Sequence, residues 1–313
     1  MTHITLLVIV GPTAVGKTST SLELAKELAG EIISADSRYL YRGMDIGTAK
    51  PSLAERAAIP YHLIDITEPD QPWSLAQYKR AATAAIADIA ERGNLPMLVG
   101  GTGQYIRAVL EGWTIPPRAS NPRLREELEG FAAKSGAAAL HTRLAEVDAQ
   151  AAAAIDYRNV RRVVRALEVT LESGIPFSEQ RRSEPPPYEV FQLGLNMPRA
   201  DLYARIDQRV DEMLSTGLLV EIETLLARGI DWSLPAMSAL GYKQLGNHIR
   251  GECSLDEAVQ QIKRETRRFV RRQANWFQAD DPAIHWFNPL DTSTKVIIAT
   301  VQKWLASRDD LTP

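Results

Sequence analysis

A chain of 313 residues with 45% hydrophobic side chains and a net charge of −3 can bury a full core, with room for two lobes or a core with an insertion. That charge excludes a general attraction to polyanions, so nucleic-acid binding would need local basic faces. The single cysteine, Cys253, excludes an internal disulfide, and His3, His62, His141, His248 and His285 show no paired metal-ligand spacing.

No apolar run approaches a membrane span, and the first motif begins within a dozen residues of the start, leaving no room for a signal peptide. A cytoplasmic, monomeric protein with no membrane partner is expected. The apolar run Leu6-Leu7-Val8-Ile9-Val10 predicts a first strand. It feeds Gly11-Pro12-Thr13-Ala14-Val15-Gly16-Lys17-Thr18, which meets all fixed positions of a P-loop in strand, loop and helix context. The glycines let consecutive N–H groups converge on one anion-sized hollow, and the helix N-terminus adds partial positive charge. Lys17 would reach the outer phosphate, and the Thr18 hydroxyl would ligate Mg²⁺. The motif leaves open whose phosphate is held.

Leu22, Ala25, Leu28 and Ala29 recur at helical spacing, and residues 31–34 read as a second strand, giving a βαβ opening. Residues 61–66 predict a third strand, followed by a helix over 75–91 with Tyr78, Ala82, Ile86 and Ile89 on its apolar side. A fourth strand over 96–99 runs into Gly100-Gly101-Thr102-Gly103, at the carboxyl end of a strand, where ligands of open α/β sheets collect. This alternation predicts an α/β fold: a P-loop NTPase-like, mostly parallel sheet flanked by helices. The core is assigned to 1–115. Residues 116–154 turn helical and alanine-rich, with Asn121-Pro122 as a helix start, and are read as an inserted helical subdomain. Residues 155–313 return to the core through Pro185-Pro186-Pro187 and a strand over 189–196. They continue as a helical part with breaks near Gly217, 229–235 and 246–251, then a short strand at 284–287.

Asp36 follows the second strand and should face the P-loop crevice, either as a general base or as a turn-forming cap. Asp65 is a competing carboxylate, an outer-sphere Mg²⁺ ligand or a strand-end turn residue. Thr102 could donate a hydrogen bond to a substrate. Over 156–171, Arg158, Arg161, Arg162 and Arg165 share one helix side, opposite Val160, Val163, Val164 and Leu167; a solvated face has the same pattern. Lys263, Arg264, Arg267, Arg268, Arg271 and Arg272 stand against one local acid, Glu265, and precede Trp276 and Phe277. Cations that follow a phosphate backbone beside aromatics that stack on bases suit RNA. Arg205 and Arg209, four apart, either reach back to a phosphate or pair with Asp201 and Glu212 for about 0.3–0.5 kcal/mol each.

The P-loop, Ile33-Ser34-Ala35-Asp36-Ser37-Arg38, the run from Tyr41 to Pro51 and Gly100-Gly101-Thr102-Gly103 together resemble the bacterial tRNA dimethylallyltransferase family, also called tRNA isopentenyltransferases or IPP transferases. The likeness continues through the run from Arg161 to Val169, Gly241-Tyr242-Lys243 and Arg271-Arg272-Gln273-Ala274-Asn275-Trp276-Phe277, and so covers essentially the whole chain. It implies transfer of a dimethylallyl group from dimethylallyl diphosphate to N6 of the adenosine 3′ to the anticodon, with release of diphosphate. Residues 11–18 would cradle that leaving group. Lys17, Mg²⁺ on Thr18 and a helical arginine, Arg209 in preference to Arg205, would stabilise its charge. Asp36 would accept the N6 proton, and Thr102 would contact a target nucleotide drawn out of its stack.

The resemblance also implies contacts to the tRNA anticodon stem-loop from Asp36, Ser37, Arg38, Tyr39, Thr102, Arg125, Arg161, Arg162, Val163, Val164 and Arg165. Residues 238–243, including Gly241, Tyr242 and Lys243, and 271–278, including Arg271, Arg272, Gln273 and Trp276, complete that set. Tyr39 stands where relatives commonly carry Gln, and could stack on a base instead of reading its edge. The fold class alone also accommodates an ATP-binding nucleotide or small-molecule kinase and an RNA-binding NTPase switch.

Overall fold

The computed structural model describes residues 3–115, 121–180 and 183–309. Six strands, β1 (Ile4–Val10), β2 (Gly30–Ala35), β3 (Tyr61–His62), β4 (Leu95–Gly100), β5 (Tyr188–Leu195) and β6 (Ile284–Phe287), form one sheet in the order β3-β2-β4-β1-β5-β6. Every neighbouring pair is parallel. Parallel strands need crossovers and cover on both faces, which explains the unbroken apolar run of β1. Leu7 and Ile9 pack on one side with Leu24, Ile206 and Val301, and Leu6, Val8 and Val10 on the other with Tyr78, Ile86 and Ile106.

The chain divides into two compact units, Met1–Leu110 with Pro187–Pro313, and Glu111–Pro186. The first holds the sheet with α1 (Lys17–Glu27), α2 (Leu53–Ala58), α3 (Leu75–Glu91) and α4 (Gly103–Leu110). The second contains α5 (Pro122–Ser135), α6 (Ala137–Val147), α7 (Ala149–Ala154), α8 (Val160–Ser173) and α9 (Phe177–Gln180). After β5 the first unit resumes with α10 (Arg199–Ser215), α11 (Leu218–Ala227), α12 (Tyr242–Ile249), α13 (Leu255–Ala274) and α14 (Thr294–Asp309). A third cluster around Met44, Val210, Ile222, Tyr242 and Ile262 joins α10 to α13 to the segment after β2.

The helical unit is longer than the 116–154 read from the sequence, whose starting boundary lies outside the described residues. It includes α8 because Val163, Val164 and Leu167 share one buried cluster with Leu128, Leu140 and Leu144.

Two local expectations are corrected. The third strand ends at His62, because Leu63 and Asp65 take left-handed φ angles of 62° and 54°. The Asp65 and Ile66 N–H groups then donate to Tyr39 and Leu40 carbonyls at 3.0 and 2.9 Å. Gly246 does not break the chain: α12 runs through it, with the ring of Trp232 lying against it. Among the described residues, no helix is long and apolar enough to cross a membrane.

Candidate active site

The loop between β1 and α1 folds as its glycines require. Gly11 has φ 148°, and a Cβ there would lie 2.4 Å from the Leu195 carbonyl oxygen. Val15 anchors the loop in the core with no exposed surface. Lys17 turns back over the loop, its amine donating to the Gly11 and Pro12 carbonyls at 3.0 and 2.7 Å. Burial lowers its pKa to about 8, a value that Asp36 raises and Arg209 lowers in turn. Lys17 is therefore mainly an ammonium at neutral pH and loses its charge just above it.

A cleft of about 900 Å³ opens over this loop, with Thr13, Lys17, Asp36, Tyr39, Arg205 and Arg209 on its walls. The residues beyond β1, β2 and β4 meet here, as ligand sites of parallel sheets do. Asp36 shapes the turn that follows β2. Its Oδ1 accepts the Arg38 N–H at 2.8 Å, its other oxygen meets no donor among the described residues, and the residue lines the cleft.

The turn is tied to β4 through Thr102. The Thr102 N–H donates to the Ala35 carbonyl at 3.1 Å, and its hydroxyl oxygen accepts the Ser37 N–H at 3.2 Å. The hydroxyl hydrogen is left available for a further acceptor. Gly103 is dictated by close approach, since a Cβ would lie 2.2 Å from the Trp276 ring.

On α10, Arg205 and Arg209 both line the cleft, and neither pairs with Asp201 or Glu212 among the described residues. Arg209 reaches the Thr13 hydroxyl at 3.5 Å, and Arg205 lies beside Gly16, 3.9 Å from where a Cβ would stand. Tyr39 donates its hydroxyl to the Ala49 carbonyl at 2.7 Å. Burial and the nearby Asp36 charge push its pKa up, so it stays a neutral phenol. Asp65 is drawn out of the chemistry: it accepts from Lys50 and Arg56 at 2.5 Å each, and the Lys50 side chain is only 1% exposed. It lies in the left-handed turn three residues past the end of β3 and not at a strand end.

Of the residues expected to touch RNA, several have side chains committed elsewhere. Arg38 donates to the Pro235 carbonyl at 3.0 Å and to the Ser238 hydroxyl at 3.3 Å. Tyr242 is fully buried and Gly241 is buried beside it, whereas Lys243 is exposed. Tyr242 and Gly241 therefore cannot offer side-chain or surface contacts, because packing around α12 encloses them. Tyr242 bonds to Glu221, a residue the sequence reading missed; its signal was a lone acid in the apolar run Leu218-Leu219-Val220-Glu221-Ile222.

The six cations of α13 divide into two groups. Lys263 pairs with Asp211 at 2.7 Å, Arg267 with Asp207, and Arg268 with Glu265 at 2.6 Å. Two of these acids come from α10, more than fifty residues earlier, so a local count finds only Glu265. Arg264, Arg271 and Arg272 are exposed. Trp276 is 38% exposed, with Arg107 6.0 Å from its ring centroid. Gln273 is instead 6% exposed. Its Oε1 accepts the Thr13 N–H and its Nε2 donates to the Gly101 carbonyl, both at 3.0 Å.

In the second unit, Val163 and Val164 are core residues at 0% and 1% exposure, so their side chains touch no RNA. Arg125 and Arg165 both bind the buried Glu168 carboxylate, at 2.8 and 2.9 Å. Burial opposes ionisation of Glu168, but these hydrogen bonds and one from the Asn121 N–H hold its pKa below the usual range. Arg161 and Arg162 are exposed.

Thr18 lines the cleft at the start of α1, and its hydroxyl is the type of hard oxygen ligand that Mg²⁺ takes. A cation there would take one protein oxygen and complete its shell from phosphate oxygens and water, as Mg²⁺ does.

A family model described as IPP transferase matches residues 39–280, and one described as isopentenyl transferase matches residues 4–60. The tRNA dimethylallyltransferase of Roseiflexus sp. is 57% identical over 275 residues, covering 88% of this chain and 90% of that protein. That of Herpetosiphon aurantiacus is 50% identical over 301 residues, 96% of this chain and 94% of its own. The crystal structure of the tRNA isopentenylpyrophosphate transferase from Bacillus halodurans superposes with a TM-score of 0.72 at 42% identity, covering 97% of this chain and 96% of the other. A P-loop and a turn-held carboxylate on one cleft thus occur on a chain that matches these proteins over 88% to 97% of its length, and the chain belongs to the IPP transferase family.

Proposed function

We propose that this protein transfers a dimethylallyl group from dimethylallyl diphosphate to N6 of the adenosine 3′ to the anticodon of tRNA, releasing diphosphate, as a cytoplasmic monomer. The observation that carries this reading is that Lys17 and Asp36, beyond the carboxyl ends of β1 and β2, line one cleft.

The P-loop N–H groups and Lys17 hold the diphosphate, with Arg209 and Arg205 reaching it from α10. Their charge stabilises the leaving group as the allylic C–O bond breaks and its electron pair passes to the diphosphate oxygen. Thr18 would hold Mg²⁺, which supplies further positive charge to those oxygens when bound.

The N6 lone pair forms the new C–N bond, and the proton it sheds goes to the free oxygen of Asp36. An exocyclic adenine amine is a weak nucleophile because its lone pair is delocalised into the ring, so removing positive charge as the bond forms has a large effect. Thr102 offers its remaining hydroxyl hydrogen to the flipped nucleotide, and the Tyr39 ring offers a stacking surface. Arg271, Arg272, Arg264 and Lys243 on the first unit, and Arg161 and Arg162 on the second, are the exposed cations suited to RNA phosphates.

The test is mass spectrometry of nucleosides from unmodified tRNA incubated with the protein, Mg²⁺ and either dimethylallyl diphosphate or ATP. Adenosine heavier by one prenyl unit, formed only with the prenyl donor, is expected. ATP turnover without that nucleoside would overturn the reading in favour of a kinase.

A further inference from the structure

Gln273 sits where three elements meet. Its one amide group accepts from the Thr13 N–H of the P-loop and donates to the Gly101 carbonyl of the glycine turn. It hangs from α13, the helix that carries Arg264, Arg271 and Arg272 to the surface. One turn further on, Trp276 lies against Gly103, the second point at which this chain end meets the same turn.

The Thr13 N–H is therefore held from outside the loop, and the shape of the phosphate hollow depends on where α13 stands. A glutamine presents an acceptor and a donor from one planar group, which an aliphatic side chain of similar size cannot do.

We infer that Gln273 is a positioning residue that links the two ligand sites: it sets the diphosphate cradle against the Thr102 turn and makes donor affinity depend on RNA occupying α13. The identities of donor and RNA rest on the function proposed above; the link itself rests on the bonds of Gln273. This role replaces the RNA contact that the sequence resemblance implies for Gln273. Linkage requires the effect to be reciprocal, so diphosphate must change RNA affinity by the same factor.

The test measures binding of inorganic diphosphate with Mg²⁺, and of a synthetic anticodon stem-loop RNA, each alone and with the other saturating, by calorimetry on the full chain. The wild-type protein should show a change in diphosphate affinity of about fivefold or more on RNA binding, with the matching reciprocal change. Gln273→Leu should bring that ratio to about one and lower kcat while leaving stem-loop affinity alone. Gln273→Glu keeps the acceptor for Thr13 and loses the donor to Gly101, so it should give an intermediate ratio; it also carries the test if the leucine variant fails to fold.

A wild-type ratio of one, or a ratio that survives in both variants, overturns the inference. So does loss of stem-loop affinity with the ratio intact, which would return Gln273 to the RNA surface. If the link is present but no prenylated adenosine forms, the proposed function fails and the link stands.

Discussion

Tyr242 donates its hydroxyl hydrogen to Glu221 at 2.6 Å, and the same carboxylate accepts the N–H groups of Asp45 and Ile46 at 2.7 Å and Gly47 at 3.1 Å. Four donors on one carboxylate fix the wall of the cleft that Asp45 and Ile46 line. Burial and the Glu221 charge push the Tyr242 pKa far up, so it donates at any accessible pH. Glu221→Ala leaves several N–H groups unpaired and is expected to cost roughly 3 kcal/mol in urea denaturation, whereas Tyr242→Phe removes one bond and costs about 1 kcal/mol. Stem-loop affinity should be unchanged in Tyr242→Phe; a clear loss would mean that this buried ring does meet RNA.

Lys17 is expected to give the reaction an alkaline limit. Its pKa in the ligand-free protein is lowered to about 8, so the ammonium that meets the diphosphate is present below that pH and lost above it. The parameter kcat/KM for the donor, which reports free-enzyme groups, should fall as pH rises through about 8. Bound diphosphate favours the charged amine and raises its pKa, so kcat at saturating donor should hold to higher pH. Parallel profiles of kcat and kcat/KM check this, and coincident alkaline limbs would contradict it.

The exposed cations of α13 should differ from the paired ones in salt dependence. Arg271→Ala with Arg272→Ala is expected to weaken stem-loop binding and reduce the slope of log affinity against log salt by about 1.5 to 2. Arg267→Ala, which removes a partner of Asp207, should change that slope less. Filter binding over a series of salt concentrations distinguishes the two.

Glu168 ties the start of α5 to α8 within the second unit. Glu168→Gln removes the carboxylate that Arg125, Arg165 and the Asn121 N–H share. It is expected to destabilise that unit by about 2 kcal/mol, less than a fully buried pair because both arginines are partly solvated. Since the folded pKa is depressed, the stabilisation is complete above the ordinary carboxylate range and is lost as pH falls through the folded value. Urea midpoints of the two proteins should therefore converge toward low pH.

Much of the fold was legible because parallel strands write their burial directly into the sequence. The run from Leu6 to Val10 and the periodic Tyr78, Ala82, Ile86 and Ile89 needed no partner to be recognised, and all are buried as expected. The P-loop was legible for a similar reason, since its chemistry is local. What the sequence hid was set by pairing across distance. Asp207 and Asp211 neutralise two of the six cations of α13, Lys50 and Arg56 claim Asp65, and Gln273 turns inward from a helix whose neighbouring residues turn out. Val163 and Val164 fell inside a matching RNA block yet pack into a core, because a block match assigns a segment to a role without separating the two sides of its helix.

The proposed function requires Asp36 to take the proton from N6 while the P-loop holds the departing diphosphate. Asp36→Asn tests it most directly, because the amide oxygen still accepts the Arg38 N–H and keeps the turn while the base is removed. Single-turnover prenyl transfer at saturating stem-loop and dimethylallyl diphosphate should slow by about 100-fold or more, with stem-loop affinity unchanged. A rate equal to that of the wild-type protein would contradict the account.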